Sequence, residues 1–415
     1  MKEPEDMKEP ERGVCAPRGF RAGGVCCGIK ARGGKRDLAL ICSDGPCVSA
    51  GVFTTNRVQA ANILVSREHS KAGKIRAVIA NSGNANACTG QAGLAAARRM
   101  ALLAAESLGI SAGETAVAST GVIGVPLPVE KIEAAMDRLT ASLDSGPAGH
   151  DAALEAIMTT DTRKKAAAVE LPLPGSAGPV RIGAMVKGSG MIHPNMATMI
   201  GIITTDAAVG AGELDRALRR AVNRSFNRLT VDGDTSTNDM VLAMANGAAG
   251  NPLIAAEGPA YEAFAGALEA LCIKLARAMA RDGEGAGRLL TVTVEGAASE
   301  EDAAVLARSV AGSSLVKAAC FGADANWGRV LCALGYAGVP FEPERTSVRF
   351  AGAPGSVTVC RDGCALPFSE EDAKRILLEE EIEILAVVGN GPGAASAWGC
   401  DLSYDYVKIN GDYRS

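Results

Sequence analysis

The residues best able to do chemistry lie in one segment, KGSGMIHPNMATMIGIITTDA, at 187–207. A lysine opens a glycine-rich turn, a proline-containing loop leads to Ala197-Thr198, and an apolar strand begins directly at Thr198. A threonine at such a junction can be held rigidly while its hydroxyl faces a cleft. If the peptide bond before it is cut, the hydroxyl lies beside its own α-amine. That amine has a reference pKa of about 7.7–8.0, so it can serve as the general base that a histidine supplies elsewhere. The chain has only His69, His150 and His193, and no HExxH, GxSxG or CxxC string. A metal hydrolase or a Ser-His-Asp enzyme therefore has little support. Threonine at a strand start is also ordinary, so the pattern alone leaves nucleophile and plain strand residue both open.

Four other segments carry polar groups at suggestive spacing. Ser119-Thr120-Gly121-Val122-Ile123-Gly124 follows a short strand and can aim a backbone N–H and a hydroxyl at one point, as an oxyanion hole does; a plain glycine turn fits it too. SFNRLTVDGDTSTNDM (225–240) holds Asp232, Asp234 and Asp239 but lacks the spacing and terminal glutamate of a calcium loop. A hydrogen-bonded turn capping the next helix is the better reading. In RDGEGAGR (281–288), Glu284 between glycines can present a carboxylate to a cation. The C-terminus, WGCDLSYDYVKINGDYRS, is rich enough in aromatic and apolar residues to dock. GNGPG near 389 is a strand-end turn, and His193 is a loop residue, not a base.

The elements that must position these groups read as mixed α/β, with helices packed on sheets. Residues 14–65 look β-rich, with a hairpin-like turn at Asp44-Gly45-Pro46. RAVIANSGNANACTG is a buried strand and loop, followed by a long Ala/Leu helix ending at Gly109. Strands are expected at TAVAST, after the TTDT segment, at VRIGAMVK and from Thr198; helices at 129–144, 212–225, 237–247 and 260–281. Two SEEDA strings, seventy residues apart, each follow an alternating strand and open a helix, with Ser299/Asp302 and Ser369/Asp372 at capping-box spacing. Net charge is −5, with no basic patch for nucleic acid and no apolar run that reaches membrane length. The MKEPE repeat opening the chain lacks the apolar core of a leader and suggests a disordered tail over 1–13 in a cytoplasmic protein. Twelve cysteines lack zinc spacing and read as free thiols, so no metal is expected.

Long strings now carry a resemblance: DLALICSD, AGVFTTN, NSGNANACTG, STGVIG, IMTTDT, KGSGMIHPNMATM, VDGDTSTND, RDGEG, NWGR and AWGCDL, in order from near residue 16 to Ser415. The chain resembles the ornithine acetyltransferase (glutamate N-acetyltransferase) family of arginine biosynthesis. The resemblance implies an αββα sandwich similar to N-terminal-nucleophile hydrolases, with a smaller C-terminal α/β domain. It implies cleavage at Ala197–Thr198 into an α chain, 14–197 of it in the sandwich, and a β chain. The β chain completes the sandwich with 198–285 and builds the C-terminal domain from 286–415, whose tail returns to the active site. The assembly is expected to be α2β2. Thr198 takes the acetyl group from N2-acetylornithine and passes it to glutamate, with Thr120 and Gly121 holding the oxyanion. Substrate contacts fall on Thr159 or Thr160, Lys187, Thr198, Glu284, Asn410 and Ser415. No cofactor is implied; acetyl-CoA is a co-substrate if the enzyme is bifunctional. The alternatives are a self-cleaving aminopeptidase or amidase of the same fold, with water as acceptor, and a binding protein that never cleaves. Lys164, Ala286-Gly287-Arg288 and Asn62 depart from the family's usual residues.

Overall fold

The structure is a computed structural model that describes residues 12–30, 33–173, 175–176, 178–193 and 199–412. Residues 1–11 of the expected tail lie outside them, as do Ala197, Thr198 and Ser415; Gly13 already belongs to a 3-10 turn, Gly13–Cys15. Two compact units divide the chain.

The first unit comprises 1–188, 195–224 and 235–275. Its strands are β1 Phe20–Val25, β2 Leu38–Ser43, β3 Val48–Phe53, β4 Ala77–Asn84, β5 Thr115–Val122, β6 Lys165–Leu171, β7 Val180–Lys187, β8 Ile200–Thr205 and β9 Met240–Ala245. They form a four-stranded sheet, β1-β2-β4-β5, and a five-stranded sheet, β3-β9-β8-β7-β6. Its helices are α1 Ala61–Ser70, α2 Gly90–Leu108, α3 Val129–Glu133, α4 Met136–Ala141, α5 Pro147–Ile157, α6 Ala211–Arg224 and α7 Pro259–Arg281 as far as Leu275, the rest of α7 belonging to the second unit.

Period-two alternation explains the layering, because successive strand residues face opposite sides. Leu38, Leu40, Ala77 and Ile79 pack against Ala97, Met100 and Ala104 of α2 and Met136 and Leu139 of α4. Their neighbours Ala39, Ile41, Val78 and Ala80 face Ile200, Ile202, Met240, Leu242 and Met244 of the other sheet. Helix α6 lies on β3, and Arg220 ties it to Glu262 and Glu269 of α7. The result is an αββα sandwich.

Three local expectations change. Residues 240–245 form β9, not a helix: every residue of MVLAMA is buried, and a short fully apolar run fits a central strand as well as a helix. The Asp44–Pro46 turn does not close a hairpin. It carries the chain from β2 in one sheet to β3 in the other, while the Asp44 N–H bonds to the Gly19 carbonyl. The expected helix at 129–144 is two short pieces, α3 and α4.

The second unit comprises 276–415 together with 189–194 and 225–234, a wider set than 286–415. Backbone bonds explain the additions: Val231 N–H reaches the Ile192 carbonyl, Glu284 N–H the Ser189 carbonyl, and Thr230 N–H the Trp398 carbonyl. Six strands follow: β10 Leu289–Ala297, β11 Ser347–Gly352, β12 Gly355–Arg361, β13 Cys364–Ala365, β14 Glu381–Val387 and β15 Gly393–Cys400. Their order is β13-β12-β11-β14-β10-β15. The helices are α8 Glu300–Gly312, α9 Ser314–Phe321, α10 Trp327–Gly335, α11 Glu370–Leu377 and α12 Tyr404–Gly411. Both SEEDA strings open helices, with Ser299 and Ser369 accepting the N–H of Asp302 and Asp372. No single helix among the described residues is long and apolar enough to cross a membrane.

Candidate functional site

Four threads of the first unit meet around Lys187. β4 and β5 run parallel, with Gly83 opposite Gly121. A Cβ on Gly121 would lie 2.3 Å from the Gly83 carbonyl carbon, and its φ is 132°, so only glycine fits there. The turn is braced from below. Asn238 Nδ2 donates to the Ser119 and Ala85 carbonyls, and Ser119 Oγ donates to Asn81 Oδ1. Thr120 is buried, and its Oγ1 accepts from Lys187 Nζ at 3.4 Å. Lys187 ends β7 and is itself buried.

The TTDT segment supplies the counter-charge. Asp161, whose side chain is wholly buried, accepts from Lys165 Nζ at 2.6 Å, the Gly188 N–H at 2.7 Å and the Thr159 N–H at 3.0 Å. Burial opposes its charge, but Lys187 and Lys165 beside it hold the carboxyl well below the usual carboxylate range. Thr159 and Thr160 are both half-buried next to it. Sequence reasoning missed Asp161 and Lys165; the only signal was an aspartate enclosed by threonines and followed by a lysine run. Lys164 is exposed and pairs with Glu155 and Asp151 on α5. Asn62 is buried, and its Oδ1 accepts from Asn238.

In the second unit, Glu284 sits in the tight RDGEG turn after α7. It is buried, and a Cβ on Gly190 would overlap its carboxylate at 2.3 Å. Asn410 of α12 donates to Glu284 Oε2 at 2.9 Å. α12 is clamped over this turn: Ser403 Oγ donates to the Gly285 carbonyl, and a Cβ on Gly285 would meet the Tyr406 nitrogen at 2.5 Å. Burial, then Asp232 and Glu284, push the Tyr406 hydroxyl upward. Asp232 accepts the Met191 and Ile192 N–H groups, a role for the 225–240 segment other than helix capping. Arg288 turns away to the Cys320 and Phe321 carbonyls. His193 is half-buried against Thr230 Oγ1, and burial, then Arg308, lower its pKa.

Thr120, Gly121, Thr159, Thr160 and Lys187 are thus brought together in one unit, and Glu284 and Asn410 in the other. Thr198, Ala197 and Ser415 fall outside the described residues. All twelve cysteines are free thiols. No group of three or more metal-ligating side chains exists among the described residues. A buried cation beside a hydroxyl and a sharply turned glycine amide can bind a carboxylate and stabilise a developing oxyanion.

Comparison with known proteins gives one consistent picture. The ArgJ family model matches residues 21–415. The arginine biosynthesis bifunctional protein ArgJ of Symbiobacterium thermophilum is 55% identical over 404 residues, covering 97% of this chain and 98% of its own. The ArgJ 1 protein of Clostridium acetobutylicum is 49% identical over 396 residues, 95% of this chain and 96% of its own. Among solved structures, Mycobacterium tuberculosis ornithine acetyltransferase complexed with ornithine is 41% identical. It covers 46% of this chain and 97% of its own, with a TM-score of 0.42.

Proposed function

The chain belongs to the ArgJ family, and from that premise we propose how it acts as an acetyltransferase of arginine biosynthesis. The Ala197–Thr198 bond cuts itself, and chains 1–197 and 198–415 remain together in an α2β2 assembly. The freed α-amine of Thr198 takes up its hydroxyl proton, and Oγ attacks the acetyl carbonyl of N2-acetylornithine. Thr120 and Gly121 hold the oxyanion. Ornithine leaves, and the amine of glutamate then accepts the acetyl group from Thr198. Lys187 pairs with the α-carboxylate that both substrates share, beside Thr159 and Thr160. Glu284 and Asn410, with Ser415, take the ornithine side chain. Acetyl-CoA is a second acetyl donor, in keeping with the bifunctional proteins to which the chain is similar. Neither transfer, as written, draws on a cofactor.

The observation that carries this reading is the buried Lys187 ammonium 3.4 Å from Thr120 Oγ1, beside a turn that tolerates only glycine. The test is direct. Active purified protein is expected to run as two bands, each about half the full mass, with one fragment beginning Thr-Met-Ile-Gly. Incubation with acetylornithine and glutamate is expected to yield acetylglutamate; free acetate instead would mark an amidase. The Thr198→Ala chain is expected to stay whole, folded and inactive. An uncut chain with full activity would overturn the mechanism.

A further inference from the structure

The charges gathered beside Lys187 have no task in the reaction just described. Asp161 divides its two oxygens between neighbours. Oδ1 accepts from Lys165 Nζ at 2.6 Å and from the Gly188 N–H at 2.7 Å, and Oδ2 accepts the Thr159 N–H at 3.0 Å. Lys165 opens β6 opposite Val186 of β7, one residue short of Lys187. The side chains of Lys165 and Asp161 are 1% and 0% exposed, and Lys187 is buried as well. Ions taken so far out of water seldom repay their desolvation in stability, and apolar residues often serve a fold equally well. Such a cluster calls for a reason other than folding.

The hydrogen bonds supply one. The two amides that Asp161 holds belong to the two segments on which substrate contact is placed. Thr159 begins the TTDT segment, and Gly188 directly follows Lys187. One carboxylate gripping both fixes the end of β7 against Thr159 and Thr160, and with it the reach of the Lys187 ammonium. That ammonium lies 3.4 Å from Thr120 Oγ1, so a carboxylate paired with it stands next to the oxyanion turn. Hydrogen bonds to an ionised acceptor are the short and strong kind, which suits a clamp.

We propose that Asp161 is a positioning residue of the reaction: it locks the TTDT segment to the end of β7, so that Thr159, Thr160 and Lys187 present one preformed seat to the substrate α-carboxylate. The inference rests on the reading of Lys187 as the partner of that carboxylate. Lys165 is the counter-ion of the clamp. The charge of Asp161 in turn favours the charged form of Lys187, and that of Lys165 disfavours it. The other titratable groups acting here among the described residues are Lys30, which feels both Asp161 and Lys187, and Asp239, which feels Lys187. Burial pushes the Asp239 carboxyl well above the usual range, which leaves Asp161 the stronger anion. A seat ordered in advance spares the substrate the cost of ordering it.

The test compares full-length Asp161→Asn, Lys165→Met and the double variant with the parent, by circular dichroism and by kcat and KM for acetylornithine across pH. Asp161→Asn is expected to raise KM about tenfold, the scale of a lost charged hydrogen bond, with kcat changed far less. The signs of the pH shifts separate a charged clamp from mere packing. Lys187 pairs with a carboxylate only while protonated, so kcat/KM falls on the alkaline side. Loss of the Asp161 charge is expected to move that limb to lower pH, and loss of the Lys165 charge to move it to higher pH. A packing role would move both the same way or neither. A parental KM in Asp161→Asn, or limbs that move together, overturns the proposal. So does a folded Asp161→Asn chain that stays uncut, since the carboxylate then serves cleavage and not substrate. The double variant covers a failure of Asp161→Asn to fold, because it leaves no Lys165 ammonium without its counter-ion; read against Lys165→Met, it is expected to show the same rise in KM. If it does not fold either, the proposal is overturned, because a clamp on substrate contacts leaves the fold standing. Lys187→Met separates this inference from the reading beneath it. A parental KM in that variant sinks the carboxylate role of Lys187, whereas a raised KM there with an unchanged one in Asp161→Asn sinks the clamp alone.

Discussion

The hydroxyl of Thr120 touches the cation that is proposed to hold substrate, so one side chain links orientation to oxyanion stabilisation. Thr120→Val keeps the shape and the β-branch of a strand residue while removing the donor. It is expected to lower kcat for acetyl transfer by about 10²–10³-fold, the scale of one lost oxyanion donor, with KM changed far less. Steady-state kinetics with acetylornithine and glutamate decide it; a loss confined to KM would assign Thr120 to binding alone. The turn at Thr120-Gly121 and the lysine closing β7 were legible as local structure, because glycine-rich turns after apolar strands announce themselves; their proposed roles came from the family resemblance. Asp161 and Lys165 were not, since nothing local reveals that a Lys–Asp pair four residues apart has been taken out of water. Asp239 was legible as a turn residue, but the helix it was expected to help cap is β9, and its carboxylate accepts the Met199 N–H instead.

At the scale of elements, α5 shows how packing fixes a titration. It is pressed against β1 so closely that a Cβ on Gly24 would sit 2.1 Å from the Ala152 carbonyl oxygen. His150 is buried within it, its ring filling the space where a Cβ on Gly13 would stand. Burial pushes its pKa down to about 4 from 6.5. The unfolded chain therefore takes up the proton first. The ring's contribution to stability is complete above pH 6.5 and drains away as pH falls towards 4. Thermal melts are expected to lose more between pH 7 and pH 5 in the parent than in His150→Gln; equal losses would refute this. A short apolar run bounded by turn residues made most strands readable in advance. It did not do so at β9, where six buried apolar residues read equally well as part of a helix. It could not show that β2 and β3 part company, because sheet membership is set by distant partners and not by the turn between them.

For the whole molecule, the decisive feature is the order of the five-stranded sheet, in which β8 and β9 lie between β3 on one side and β7 and β6 on the other. β7 pairs with β8 from Lys187 opposite Ile200, and β3 pairs with β9 along its full length. The proposed cleavage between 197 and 198 would leave β8 and β9 in one chain and β3, β6 and β7 in the other. Processed protein unfolded in denaturant is therefore expected not to recover activity on dilution, whereas uncut Thr198→Ala chain regains its native circular dichroism. Full recovery by the processed form would count against this interleaving. The arrangement also bears on inheritance. If the chain is cut there, two copies crippled in opposite halves are not expected to trade pieces into one good enzyme, because the strands of each half are already paired with those of its sibling.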